Sequence, residues 1–365
     1  MKVALVQPKF DGSGGAESYA LKLAEGLAAR GHEVHAFARK VENLDSGVML
    51  HKTPSLPFGR SMKTWSFGWS AQHAVARRRF DIVQGSGKTW CQSVHRTGGG
   101  VHRAYVERRG GLGRAVYDRV AIALEDRLFR SPGLRAVICP SRWARGEVVR
   151  FYPALEGRCR VIANGVDTGA FAPAGREASR QRLAKETGVS LVFPVLLFVA
   201  TNFRLKGLGP AIQALSLLPE AQLLVVGGDQ QRPWRDQAAE LGLNEHVHFV
   251  GAHRDMEWWY RGADLLIHPT EYDPFANVCL EALACGCPVV TTDRNGVADL
   301  LGAGEAGRVV GGPADPAALA TEARSLLALG ERARAAARSL SLQYAQPRHL
   351  DAVEALYREL GEHSR

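Results

Sequence analysis

Short apolar runs of strand length alternate with helical stretches along this chain, and the whole alternation happens twice. Lys2–Val6 reads as a buried strand, followed by a glycine loop, Asp11-Gly-Ser-Gly-Gly15. A helix then runs over 16–30, where Tyr19, Leu21, Leu23, Ala24 and Leu27 recur at helical spacing before a stop at Gly31. Val34–Ala38, Ile82–Gln84, Ala136–Cys139 and Arg160–Ile162 are further strand candidates, and 64–79, 115–130 and 141–151 further helices. Asn164-Gly-Val-Asp167 and Ala172-Pro-Ala-Gly175 read as a turn-rich linker. The pattern then restarts. Strands are expected at Val195–Ala200, Gln222–Val226, Val247–Val250, Leu265–Ile267 and Pro288–Thr291, with a helix at 207–217 and a helical tail at 315–328, 330–342 and 347–360. Strands separated by helices predict parallel sheets with crossover connections, so the fold class is α/β: two Rossmann-like halves with a cleft between them.

Composition excludes several alternatives. Of 365 residues, 46% are hydrophobic and 23% charged, too apolar for a disordered chain. The longest apolar run, Leu191–Ala200, falls far short of the roughly 20 residues of a membrane span. The opening Met1-Lys-Val-Ala-Leu-Val-Gln-Pro8 lacks the long apolar core of a secretory signal, so a cytoplasmic location is expected. The six cysteines form no C-x-x-C pair, and Cys285-Gly-Cys287 reads as packing, since a zinc site would need a second pair.

The net charge of +9 is uneven. Up to Ala163 there are 27 basic and 13 acidic residues; beyond it there are 19 and 24. From Ser46 to Phe80 no acid occurs, against Lys52, Arg60, Lys63, Arg77, Arg78 and Arg79. A basic half fits an anionic partner: nucleic acid, anionic lipid or a phosphorylated substrate. The ordinary alternative is an arginine-rich, solvated face.

In doubly wound sheets, ligands bind at the carboxyl ends of the strands. Five loops fall there. Gly12-Ser-Gly-Gly-Ala-Glu17 allows close backbone approach to an anion at a helix start, yet lacks the third glycine of a dinucleotide fingerprint; a ligand-free tight turn reads equally well. Gly85-Ser-Gly-Lys-Thr89 imitates a phosphate-binding Walker loop, but its required first glycine is Ile82, so nucleoside triphosphate hydrolysis is not expected. Thr97-Gly-Gly-Gly-Val-His102 can present an imidazole, although a lone histidine is usually structural. Asn202-Phe-Arg-Leu-Lys-Gly207 offers two cations suited to a diphosphate, or to solvation of a helix start. In Glu271-Tyr-Asp-Pro-Phe-Ala-Asn-Val-Cys-Leu-Glu281, a helix opening near Phe275 would put Asn277 and Glu281 on one face, where a buried carboxylate needs hydroxyl or N–H partners such as a ribose diol.

At this point the sequence resembles the retaining glycosyltransferases of family 4. The resemblance is carried by Gly14-Gly15, Asn164-Gly-Val-Asp167, Lys206-Gly207, and Asp273 with Glu281, whose seven-residue separation matches that family's E-x7-E element with Asp in the first place. It covers about 1–340. Within the family it is most similar to the lipopolysaccharide core glucosyltransferases, through Gly207 to Leu217, Leu223–Gly227, Val247-His-Phe249 and Ala263–Pro269.

The resemblance implies a GT-B fold. Residues 1–165 would form an acceptor-binding domain to which 345–365 return, and 166–344 a nucleotide-sugar-binding domain. It implies transfer of a hexose, glucose by the nearest likeness, from a UDP-sugar such as UDP-glucose to a lipid-linked glycan, with no cofactor. Arg204 and Lys206 would neutralise the diphosphate, N–H groups of Asn277 and Val278 would hold it, Glu281 would bind ribose, and Asp273 the donor sugar. Gly14 and Gly15 would touch the donor from the first domain, and His102 would line the sugar site. Glu17, Arg103, Arg108 and Arg109 are expected at the acceptor or membrane side, because the segment corresponding to 102–130 docks on the inner leaflet in those enzymes. That makes an anionic membrane surface a partner and the expected location peripheral. No D-x-D triplet occurs, which fits metal-independent departure of the leaving group. Two departures stand out: Thr201 occupies the position of a common family arginine, and Asp273 is one methylene shorter than Glu. Other readings are a family 4 transferase for capsule or another cell-wall glycan, a GT-B epimerase, and a nucleic-acid-binding protein proposed by charge alone, against which the missing aromatic-basic motifs argue.

Overall fold

The computed structural model describes residues 1–11, 14–42, 47–109 and 116–362, and they divide into two compact units. Met1–Ala163 and His349–Arg365 form the first; Asn164–Arg348 form the second.

Unit 1 is built on β1 (Lys2–Val6), β2 (Lys9–Phe10), β3 (Glu33–Ala38), β4 (Lys40–Val41), β5 (Val48–Lys52), β6 (Ile82–Gly85), β7 (Val94–Arg96), β8 (Ala136–Cys139) and β9 (Cys159–Val161). Seven of these form one parallel sheet in the order β5-β3-β1-β6-β7-β8-β9, with β2 and β4 paired separately. Its helices are α1 (Gly15–Ala29), α2 (Gly59–Ala76), α3 (His102–Arg108), α4 (Val116–Phe129) and α5 (Arg142–Phe151). The central strands are buried on both faces, hence their continuous apolar runs. One face packs Val3, Leu5, Val34 and Ala36 against Leu23 and Leu27 of α1 and against Leu350, Val353, Leu356 and Tyr357 of the last helix, Gln346–Glu362. The Tyr357 hydroxyl donates to Gln84 Oε1 at 2.8 Å, so the returning helix is fixed by a buried polar bond as well as by area. The other face packs Ala4, Val6 and Phe37 against Phe67, Ala71 and Val75 of α2.

Unit 2 repeats the plan with β10 (Val195–Val199), β11 (Gln222–Val226), β12 (Val247–Gly251), β13 (Leu265–His268), β14 (Val289–Thr292) and β15 (Gly307–Val310), all parallel in the order β12-β11-β10-β13-β14-β15. The helices are α6 (Arg176–Thr187), α7 (Leu208–Leu215), α8 (Arg232–Glu240), α9 (Glu257–Gly262), α10 (Asn277–Ala284), α11 (Ala298–Leu301), α12 (Pro316–Leu329) and α13 (Glu331–Leu342). Asp264 ties α6 to the sheet: it accepts from Arg176 at 2.6 Å, Arg180 at 2.9 Å and the Val195 N–H at 2.9 Å. Among the described residues no helix is long and apolar enough to cross a membrane.

Candidate functional site

In unit 2, β10 and β13 are hydrogen-bonded neighbours, so the loops at their carboxyl ends meet. The β10 loop reaches its turn at Gly207, whose φ of +81° favours glycine. A Cβ there would lie 2.1 Å from the Pro269 carbonyl oxygen, so the absent side chain is what lets the two loops touch. That approach places Lys206 Nζ 2.5 Å from Asp273 Oδ2, and 3.4 Å from the Tyr272 carbonyl. Asp273 Oδ1 accepts from the Phe275 N–H at 3.0 Å. Burial pushes the Asp273 carboxyl upward, but the Lys206 charge and His268 outweigh it and hold the group well below the usual carboxylate range. Asp273 is therefore ionised and oriented. His268 lies behind it, fully buried, with Nε2 at 3.9 Å from Asp273 Oδ2 and no hydrogen-bond partner for either ring nitrogen among the described residues. Burial lowers its pKa, so it stays neutral.

The loop then enters α10, whose N-terminus is fixed from below by Asn295. That buried side chain accepts from the N–H groups of Ala276 at 3.2 Å and Val297 at 3.1 Å and donates to Thr291 Oγ1 at 2.9 Å. The helix starts at Asn277, two residues later than the sequence predicted, because Pro274 to Ala276 are spent on this turn. No side chain caps it, so the N–H groups of Asn277 and Val278 stand at an uncapped helix start. Asn164 Nδ2 donates to Asn277 Oδ1 at 2.7 Å, which brings the Asn164-Gly-Val-Asp167 motif to the same place. One turn along, Glu281 Oε2 accepts from the Tyr260 hydroxyl at 3.1 Å. Burial raises the Tyr260 pKa well above its ordinary value, so the phenol remains a donor. Arg204 is exposed and makes no ion pair with a described residue. The structure thus brings Lys206, Asp273, Asn277 and Glu281 together. Sequence reasoning missed His268, Tyr260 and Asn295; none has a local motif, since each is defined by what it meets across the fold.

The unit 1 residues are arranged differently. Gly14 begins α1 in extended conformation and its carbonyl accepts the Ser18 N–H at 2.8 Å; Gly15 is the first helical residue. Glu17 curls over that end, its Oε2 lying 2.8 Å from where a Cβ on Gly14 would sit. Gly12 and Ser13 lie outside the described residues. His102 is not in a loop, as the sequence reading had it, but opens α3. Its Nε2 is 3.1 Å from Asp118 Oδ1, and Arg109 donates to Asp118 Oδ2 at 2.5 Å. Burial opposes ionisation of Asp118, but the bonds from Arg109 and His102 prevail and hold its carboxyl low. Burial and the Lys88 charge lower the His102 pKa, so the ring is neutral and Nε2 carries the proton it donates to Asp118. With Lys88, Thr97 and Gly100, His102 lines a cavity of about 120 Å³.

Three arginines of the expected basic membrane face at 102–130 form ion pairs within unit 1. Arg103 pairs with Asp126 at 2.6 Å, Arg108 with Glu147 at 2.6 Å and Arg109 with Asp118, while the Arg103 and Arg109 side chains stay 38% and 45% exposed. Helix α4 buries one of its faces. The inward face carries Asp118, Ala121, Leu124, Glu125, Leu128 and Phe129, while Val116 is exposed. Arg114 lies outside the described residues. The Walker-like Lys88 donates to Glu125 at 2.7 Å and no helix follows it, so it holds the Glu125 carboxylate that also caps α3 through the His102 N–H at 2.6 Å. Cys285 and Cys287 are buried free thiols, each pushed by burial up to about 12, as packing residues should be.

Two parallel doubly wound units in one chain, the second with these charged loops at its strand ends, define the class: a glycosyltransferase of the retaining GT-B type. Comparison with known proteins agrees. A Glycosyltransferase Family 4 model matches residues 13–170, and the model for "Glycosyl transferases group 1" matches 179–339. A D-inositol 3-phosphate glycosyltransferase of Xylanimonas cellulosilytica is 30% identical, over 91% of this chain and 88% of its own. The lipopolysaccharide glucosyltransferase WaaG of Escherichia coli K12 is 25% identical, over 86% of each chain. A crystal structure of WaaG shares the fold with a TM-score of 0.84 at 23% identity, covering 97% of this chain and 99% of that one. The protein belongs to the family 4 glycosyltransferases.

Proposed function

We propose that this enzyme transfers a hexose, glucose in the first instance, from a UDP-sugar to a membrane-associated glycolipid such as a lipopolysaccharide inner core. The observation that carries the donor half is the convergence of Lys206 with Asp273, the uncapped start of α10, and Glu281 one turn on. In this reading Lys206 and the unpaired Arg204 meet the diphosphate, and the N–H groups of Asn277 and Val278 share it. Glu281 accepts from the ribose hydroxyls and ionised Asp273 from the donor sugar. For Gly14, Gly15 and His102 as donor contacts, and Glu17 as an acceptor contact, the support is likeness to the family.

As the bond from C1 to the phosphate oxygen breaks, negative charge grows on the diphosphate. Fixed cations and N–H dipoles stabilise that charge more than they stabilise the ground state. The acceptor oxygen bonds to C1 on the face the phosphate leaves, and its proton passes to the departing phosphate oxygen, so no separate base is required.

The acceptor half rests on likeness to WaaG. A second reading, transfer to a soluble inositol phosphate, is favoured by the 30% identity to the Xylanimonas enzyme. Labelled UDP-glucose offered with deacylated inner-core glycolipid and with inositol 3-phosphate separates the two. Label in the glycolipid alone supports the first reading; label in inositol phosphate alone refutes it.

A further inference from the structure

We propose that the outward face of α2 is the surface by which this protein docks on an anionic lipid bilayer. The proposal rests on the glycolipid reading only for its purpose; its evidence is separate. Met62, Trp65 and Trp69 follow one another at steps of three and four residues, so they form a single stripe along the helix, and Phe58 stands just before its start. Met62, Trp65 and Trp69 are 45%, 44% and 51% exposed, and Phe58 is 73% exposed. The opposite face of the same helix, through Phe67, Ala71 and Val75, is the one that packs on the sheet. The stripe therefore contributes nothing to the core of unit 1, and leaving two tryptophans, a phenylalanine and a methionine in water calls for a partner.

The surrounding charge identifies that partner. Lys52, Arg60, Lys63 and Arg77 to Arg79 lie within or on either side of α2 in sequence, no acid occurs from 46 to 80, and none of these six cations forms an ion pair with a described residue. Arg60 lies 3.9 Å over the ring of Tyr117 at the start of α4, where Val116 is exposed too. Apolar aromatics at the centre with arginine and lysine around them suit the boundary between headgroups and acyl chains, where indole rings settle and cations meet lipid phosphates. A second copy of this chain suits the patch poorly, because a twofold contact would set the same cations against each other. In the 102–130 segment Arg103, Arg108 and Arg109 each meet an acid of unit 1, which the six cations here do not.

The test is co-sedimentation with phosphatidylglycerol-containing and with pure phosphatidylcholine vesicles, alongside tryptophan emission. Wild type should bind the anionic vesicles at low salt, shift its emission to the blue, and leave the neutral ones. The variant Phe58→Ser/Met62→Gln/Trp65→Gln/Trp69→Gln should bind at least about tenfold more weakly, with unchanged circular dichroism. Should that variant misfold, Arg77→Gln/Arg78→Gln/Arg79→Gln serves instead and should lose most of the salt-sensitive binding. Stripe variants that bind like wild type overturn the proposal, as does a wild-type protein that ignores both vesicles, or a stripe substitution whose effect is to split a dimer in sedimentation. Vesicle binding without any transfer to glycolipid would refute the acceptor reading and leave the surface standing.

Discussion

The two units share one architecture and handle charge in opposite ways. Around 102–130 in unit 1, three arginines pair with acids across elements: α3 is tied to α4 by Arg103–Asp126 and Arg109–Asp118, and to α5 by Arg108–Glu147. At the strand ends of unit 2, Lys206 and Asp273 form a compact pair beside an uncapped helix start, with exposed Arg204 in the same loop. The basic half of the sequence is thus not the half whose loops are arranged for a diphosphate. Net charge counts residues; what a ligand meets is the charge that packing leaves available. Among the described residues, Lys52, Arg60, Lys63 and Arg77 to Arg79 form no ion pair.

The comparison can be broken at its strongest point first. Lys206→Ala should lower turnover by roughly 100-fold or more, the order expected when one electrostatic stabiliser of a developing anion is removed. Steady-state kinetics on a variant with unchanged melting would check this. Wild-type turnover would make Lys206 a merely structural partner of Asp273.

Acid should act on the buried histidines of both units, and His349 of unit 1 gives the sharpest case. His349 donates from Nδ1 to the Ala163 carbonyl at 2.7 Å and faces the Tyr19 hydroxyl at 3.1 Å, and burial lowers its pKa from 6.5 to about 4. His95, also in unit 1, is pushed by burial to about 3. Because the folded pKa is depressed, the unfolded chain takes up the proton first as pH falls below 6.5. Stability is full above that value and lost progressively towards 4. His349 alone should cost about 2 kcal/mol between about pH 7 and about pH 5. Chemical denaturation of His349→Gln, which keeps a donor and an acceptor, should show a correspondingly flatter pH dependence; an equal slope would remove His349 from the account.

Lys88 sharpens the contrast between the units. It looks like a phosphate ligand in sequence and pairs with nearly buried Glu125 in the structure. Lys88→Met should therefore lower stability, by about 1–2 kcal/mol once the partial exposure of the lysine is allowed for. The loss should appear in the melting of unit 1 and leave donor affinity intact. A loss of donor affinity without a loss of stability would give the Walker-like loop a ligand after all. Smallest of all is the expected effect of a chelator. Excess EDTA should leave transfer within about twofold, since a catalytic metal supplies several kcal/mol. Activity lost with EDTA and restored by magnesium would contradict the assignment of leaving-group stabilisation to Lys206 and Arg204.

Most of the scaffold was legible because a parallel sheet buries its central strands on both faces. Lys2–Val6, Ala136–Cys139 and Gln222–Val226 stand where their apolar runs put them. The strands that escaped notice were those without such a run. Val94–Arg96 buries a histidine and an arginine, and Val48–Lys52 and Gly307–Val310 lie at sheet edges, with one side unpaired. Helix Arg176–Thr187 has only Leu183 as a buried apolar residue and is held by arginines to Asp264, 84 and 88 residues away in sequence. In the candidate site, Lys206, Asp273, Asn277 and Glu281 could be named because they fall in short motifs at strand ends. Their supports could not, since Asn295 meets Ala276 and Tyr260 meets Glu281 only once the chain has folded. The same reason hid the pairing of Arg108 with Glu147, 39 residues on.

The central claim is that nucleotide-sugar chemistry resides in the strand-end loops of unit 2, and calorimetric titration with UDP tests it most directly. Wild type should bind. Lys206→Ala and Glu281→Gln should each weaken binding by about tenfold or more, the equivalent of one lost charge-assisted contact. Arg103→Gln, which breaks an internal tie in unit 1, should bind UDP as wild type does. Undiminished binding by the two unit 2 variants, or a loss confined to the unit 1 variant, would contradict the account.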